Sequence, residues 1–181
     1  MFTYIIDDEI KLKLLDPSDA SALFALTDQA RPYLRQWLPW VDGTKTIHDT
    51  EQYIEGTMKG FANRQSLTTA IFYQGKLVGV AGFNVLDWTN NIAYIGYWLG
   101  ESYQGKGIMT RVVRALTTYA INDLEINRVE VRAATQNHKS RAIPEKLGFH
   151  HEGNIRQAEK LYDHYVDHAV YSVLAEEWPL T

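Results

Sequence analysis

The 181-residue chain contains no cysteine. Disulfides, thiolate metal sites and a covalent cysteine nucleophile are thereby excluded together. It also lacks any apolar stretch long enough to span a membrane, and its opening, MFTYIIDDEIKLKL, has no basic segment of signal-peptide type. The expectation is a cytoplasmic protein with no membrane partner. Proline is scarce, and no Pro/Gly/Ser-rich linker, low-complexity tract or internal repeat marks a boundary, which predicts a single domain over 1–181. Positive charge is not in excess. The 22 acidic residues against 18 Lys plus Arg leave −4, which argues against nucleic acid as a partner and would suit a cationic substrate weakly. A local phosphate site survives that argument. An apolar content of 45% is ordinary for a globular chain with a real core.

Periodicity gives a coarse map. Glu9 to Asp16 alternates Ile10, Leu12 and Leu14 against charged neighbours and predicts a strand. A helix should follow, capped by Asp16 with Pro17 in its first turn. A second helix is expected from Asp49 to about Asn63, with Tyr53, Ile54, Met58 and Phe61 on one face. Between them lies RPYLRQWLPWVDG, rich in aromatics. LTTAIFY and KLVGVAGFNVL flank a Gln74-Gly75 hairpin turn, and IAYIGYWLG makes a third strand. An amphipathic helix opens at Gly107, with Ile108, Val112, Leu116, Tyr119, Ile121 and Leu124 in its apolar stripe. A strand over 128–134, a short helix over Ser140 to Gly148, and strands around Phe149–Ile155 and Leu161–Leu174 complete the chain. This order predicts a mixed α/β sheet, largely antiparallel, with one central β-α-β crossover.

The segment Gln104-Gly105-Lys106-Gly107 joins the third of those strands to the amphipathic helix. Glycine leaves room for a bulky group against the backbone and accepts torsion angles that other residues avoid. N–H groups at a helix start lack partners and carry partial positive charge. Lys106 adds a cation. One reading is a phosphate seat and the other a tight turn without ligand. The spacing is neither a Walker loop nor a dinucleotide fingerprint.

Gln104-Gly105-Lys106-Gly107-Ile108-Met109 resembles the acyl-CoA pyrophosphate loop of the GNAT N-acetyltransferase superfamily, Q/R-x-x-G-x-G/A. Asn137-His138-Lys139-Ser140 followed by Glu145-Lys146-Leu147-Gly148-Phe149 resembles the N-x-x-S…K-L-G-F element of the RimJ/RimL-like branch, which acetylates ribosomal-protein N-termini. GYWLG, WLPW and the closing YSVLAEEW are similar to the same branch, so the resemblance covers nearly the whole chain. It implies the GNAT fold: a mixed α/β (α+β) architecture with a mostly antiparallel twisted sheet of about seven strands, a central splayed parallel pair and about four flanking helices. Two departures stand out. Met109 replaces the loop's usual final Gly or Ala, so its side chain must point away from the phosphates. Pro144 occupies the position where many superfamily members carry a tyrosine general acid, which passes that role to Ser140.

The resemblance implies acetyl-CoA as cosubstrate and direct transfer to a primary amine. It gives the pantetheine amides to the backbone of Tyr97-Trp98-Leu99, an amide of which also polarises the thioester carbonyl. The pyrophosphate goes to Gln104, Gly105, Lys106, Gly107, Met109 and Thr110, the pantetheine arm to Asn137, and the sulfur to the Ser140 hydroxyl. Trp37, Trp40 and Asn84 are candidate acceptor contacts, each open to a plain structural reading. The base is undecided among Asp87, Glu101, Asp167 and His168. An α-amine of pKa near 8 is roughly a tenth neutral at pH 7, against about 0.04% for lysine, so an N-terminal acceptor can manage without a strong base. Arg111, Arg114 and Arg141 could reach the nucleotide 3′-phosphate or simply be solvated. His164 and His168 have metal-like spacing without a third ligand, so no metal is expected. A protein N-terminus, as of a ribosomal protein, is the expected acceptor. A polyamine, an aminoglycoside or another small amine is the alternative, and a non-catalytic acyl-CoA sensor is a third. The family often forms homodimers, and the aromatic 31–40 loop could serve such a contact.

Overall fold

A computed structural model describes residues 3–179. Among them the chain forms β1 (Thr3–Ile5), β2 (Ile10–Leu14), α1 (Ala20–Gln29), α2 (Arg31–Leu34), α3 (Ile47–Ala62), β3 (Leu67–Tyr73), β4 (Lys76–Asp87), β5 (Ile92–Leu99), α4 (Ile108–Asn122), β6 (Arg128–Ala134), α5 (His138–Lys146), β7 (His150–Leu161) and β8 (His164–Leu174). The eight strands make one mixed sheet in the order β1-β2-β3-β4-β5-β6-β8-β7. It is mostly antiparallel, with β5 and β6 as the parallel pair. One strand and one helix exceed the expected number. Both additions, β1 and α2, are too short to leave a periodic signal.

The chain resolves into two compact units, the first running to Gly82 and resuming over Tyr97–Ile108, the second taking Phe83–Gly96 and the chain from Met109 on. In the first unit, β2 pairs antiparallel with β1 and β3. Asp16 caps a 3-10 turn, Pro17–Asp19, that leads into α1, so the expected first turn is present in tighter form. Lys13 ties that turn down, with its ammonium 2.7 Å from both Asp16 and Asp19. Leu15, Leu23, Ile54, Ala70 and Val80 form a core beneath it. At the hairpin turn both Gln74 (φ 48°) and Gly75 (φ 80°) are left-handed, as a type I′ turn requires.

α3 departs from the reading in two ways. It starts at Ile47, because Thr46 and Asp49 form a capping box. Its expected apolar face is also wrong: Ile54 is buried, but Tyr53, Met58 and Phe61 are 48%, 40% and 41% exposed. Thr50, not those three, shares the buried stripe with Ile54.

In the second unit, β6 lies between β5 and β8. Its parallel register runs from Ile92 against Arg128 to Ile95 against Val131, and β5 continues to Leu99. Along β6 Val129 and Val131 are buried, while the alternate residues Arg128, Glu130 and Arg132 build a charged ladder. The buried Glu130 accepts from Arg128 at 2.9 Å and from Arg132 at 2.6 Å. α4 buries Ile108, Met109, Val112, Val113, Leu116, Thr117 and Ala120. Tyr119, Ile121 and Leu124, expected in that stripe, are only partly buried. β7 runs six residues further than expected, through to Leu161, and the hairpin turn falls at Tyr162–Asp163. That extension is largely polar and exposed, so nothing alternated to reveal it.

Candidate active site

The glycine loop of the first unit has the geometry its sequence suggested. A 3-10 turn, Glu101–Tyr103, ends at Gln104, after which Gly105 (φ 75°) and Gly107 (φ 70°) are both left-handed and α4 begins. Nothing lies within 4 Å of where a side chain would start at either glycine. The constraint there is therefore torsional, and the space above the backbone is open. Gly105, Lys106 and Gly107 are exposed. The Lys106 ammonium lies over the rings of Tyr103 and Tyr73, at 5.5 and 5.8 Å from their centroids. Bare N–H groups at a helix start, open space and a held cation together fit a pyrophosphate. Met109 is 7% exposed, so its side chain is buried and not directed into the surrounding water. Thr110 is partly buried.

Tyr97, Trp98 and Leu99 close β5 in the same unit. Trp98 packs against the cores from Leu15 to Val80 and from Ala30 to Val41. Its ring meets that of Trp40, with centroids 5.8 Å apart. Trp40 is exposed and Trp37 partly so, and Arg31 holds their loop by donating to the Val41 and Thr44 carbonyls at 2.8 and 2.9 Å.

In the second unit, Asn137 is the N-cap of α5, and its side-chain oxygen accepts from the Ser140 N–H at 3.2 Å. The helix thus starts at His138, two residues before the expected start. The cap uses the oxygen of the carboxamide, whose Nδ2 is a donor. Ser140 sits in the first turn, partly buried. Asn84 lies exposed on β4, its carboxamide so close over Gly96 that a side chain there would collide with it.

The base candidates differ in occupation. Asp87 closes a turn by accepting from Asn90 Nδ2 at 2.8 Å and from two N–H groups, those of Thr89 and Asn90. The Asn90 side chain, then these N–H groups, hold its carboxyl below the usual carboxylate range. Asp167 accepts from the Gln157 N–H at 2.7 Å. Asp87, so held, is a poor proton acceptor. Glu101 is exposed on the 3-10 turn before the loop. His168 pairs with Glu159, Nε2 to Oε2 at 3.1 Å, and both are partly buried. It stands opposite Ala134 at the end of β6, and Asn137 bonds back to the carbonyl of that same Ala134 at 2.8 Å. The pair thus borders the segment that carries Ser140. Glu159 was missed because it lies beyond an irregularity of β7 between Ile155 and Glu159.

Arg141 is spent on structure, donating to the Tyr171 hydroxyl and the Thr135 carbonyl, both at 2.8 Å. Among the described residues no group of three metal-ligating side chains assembles, and His164 faces Asp163.

Residues 9–150 match the acetyltransferase (GNAT) domain family. The chain belongs to this family, and it is an acetyltransferase. It is 37% identical over 180 residues to YdaF of Bacillus subtilis (strain 168), a protein provisionally named a ribosomal N-acetyltransferase, covering 98% of each chain. It is 29% identical to the ribosomal-protein-serine acetyltransferase of Escherichia coli (strain K12), covering 94% of this chain and 95% of that one. Among solved structures it superposes on RimL, the ribosomal L7/L12 α-N-protein acetyltransferase in complex with coenzyme A, at TM-score 0.92 and 30% identity over 96% of this chain and 98% of the other. It also superposes on the microcin C7 self-immunity acetyltransferase MccE in complex with acetyl-CoA and AMP, at TM-score 0.89 and 32% identity over 93% and 94%.

Proposed function

We propose that this GNAT acetyltransferase moves an acetyl group from acetyl-CoA to the α-amine of a protein N-terminus, such as that of a ribosomal protein, in a ternary complex in the cytoplasm. The observation that carries the cosubstrate is the open loop with two left-handed glycines at the start of α4. RimL and MccE, similar over nearly their whole length, are complexes with coenzyme A and acetyl-CoA, which supports the same ligand. The ribosomal-protein acetyltransferases among the relatives support the acceptor. The family match extends over residues of both units, which supports one catalytic domain.

Acetyl-CoA supplies the thioester whose carbonyl carbon the amine attacks. In the proposal the N–H groups at 105–110 and Lys106 seat the pyrophosphate, and Gln104 borders it. The Tyr97-Trp98-Leu99 backbone pairs with the pantetheine amides and polarises the carbonyl. The extension of β5 beyond its parallel register supports that role. The C–N bond forms, the C–S bond breaks, and the Ser140 hydroxyl gives the leaving thiolate a hydrogen bond, or a proton that it regains from water. The proton shed by the amine passes to the His168–Glu159 pair, directly or through water. Asn84, Trp37 and Trp40 contact the acceptor.

A small-amine acceptor is the second reading. The exposed Trp40 against Trp98 offers a stacking face, and MccE was solved with AMP. Turnover of peptides beginning with Ser, Ala or Met, set against polyamines and aminoglycosides, separates the two. If no amine of either class elicits release of CoA, only the sensor reading is left. In the same assay Ser140→Ala should lower kcat far more than it weakens acetyl-CoA binding, and normal turnover by that variant would remove Ser140 from its role.

A further inference from the structure

α5 carries Pro144, which has no N–H. The helical ladder therefore offers no donor from that position to the carbonyl four residues earlier, which is that of Ser140. Two side chains on either side of that position tie the helix to β8. Arg141 and Glu145, the residues that follow Ser140 and Pro144, converge on one atom. Arg141 Nε donates to the Tyr171 hydroxyl at 2.8 Å, and that hydroxyl donates to Glu145 Oε1 at 2.6 Å. Arg141 Nη1 also donates to the Thr135 carbonyl at 2.8 Å, tying the helix to the end of β6.

Tyr171 is a fixed anchor. It stands on β8 between Val131 of β6 and His151 of β7 and is 1% exposed. The His151 ring lies 5.0 Å from its own. Burial, then the hydrogen bond to Glu145, push its phenol above the ordinary value, so it stays a donor throughout the neutral range. We propose that Tyr171 is a positioning residue for Ser140, holding α5 through Arg141 in its first turn and Glu145 in its last. This rests on the reading of Ser140 as the group that faces the thiolate.

The test is a cycle of Ser140→Ala, Tyr171→Phe and the double variant, read as kcat with acetyl-CoA saturating and as acetyl-CoA Kd. Ser140→Ala should depress kcat. Tyr171→Phe should lower kcat about tenfold with Kd within about twofold, since misplacing a reacting group costs rate more than ground-state binding. In the Ser140→Ala background it should add nothing, because the group it positions is gone. Glu145, with a side chain 52% exposed, gives a variant that keeps the fold. Glu145→Ala should reproduce the loss, and Glu145→Gln, which retains an acceptor, should restore most of it. If Ser140→Ala depresses kcat while Tyr171→Phe leaves it unchanged, or the two losses multiply, the positioning role is overturned. If Ser140→Ala turns over normally, the reading of Ser140 falls, and the role of Tyr171 with it. If Tyr171→Phe does not fold, the Glu145 pair decides the same question.

Discussion

Gly107→Ala and Gly75→Ala form a matched pair that separates a turn from a phosphate seat. Both glycines are left-handed, at φ 70° and 80°, and neither has an atom within 4 Å of where a methyl would begin. Each substitution therefore carries the same cost, that of a left-handed L-residue, about 1–2 kcal/mol, with no steric term. For a chain of 181 residues the unfolding entropy is roughly 0.4 kcal/mol/K, so each variant should melt about 3–5 °C below wild type. Their ligand binding should differ. Gly75 lies in a hairpin turn, and its variant should bind acetyl-CoA as wild type does. At Gly107 the methyl enters the space assigned to the pyrophosphate, and Kd should rise at least about tenfold. Scanning calorimetry for the Tm values and titration calorimetry for Kd give both numbers. Equal Tm losses with equal Kd values would mean that Gly107 only turns the chain.

Two further perturbations test the scaffold. Glu130→Ala removes the buried carboxylate between Arg128 and Arg132; Arg128 keeps Glu152 and Arg132 is partly exposed, so the loss should be about 2–3 kcal/mol, and a cost below about 1 kcal/mol in urea melts would mean that the ladder contributes little. The Lys13 ammonium first, then the Ser18 hydroxyl, hold the Asp16 carboxyl below its usual value. A lowered folded-state pKa gives stability that is present above the unfolded value near 3.9 and is lost as pH falls through the folded value. Asp16→Asn should therefore be less stable than wild type at pH 7, and the gap should close as the pH drops below about 4. A gap of constant size from pH 7 to pH 3 would refute the pairing.

Local chemistry made much of the fold legible. The Gln74-Gly75 turn, the bounds of β3 and β6, and the loop into α4 all rest on signals within a few residues. What failed needed partners distant in sequence or lacked a pattern. α3 reads as amphipathic through Tyr53, Met58 and Phe61, yet only Ile54 of that set is buried. β7 is too uniformly polar to show period two. At the site, Asn137 was legible as a residue of interest but not as a helix cap. The Arg141–Tyr171 bond joins residues 30 apart in sequence, and no spacing could have announced it. Glu159, likewise, gains meaning only through His168 across the β7–β8 hairpin.

The proposed function rests on acetyl-CoA seating its pyrophosphate on the start of α4. Titration of the wild-type protein with acetyl-CoA, with adenosine as control, tests it most directly. Micromolar binding that adenosine does not reproduce is the expected result. A folded protein that takes up neither ligand would contradict it.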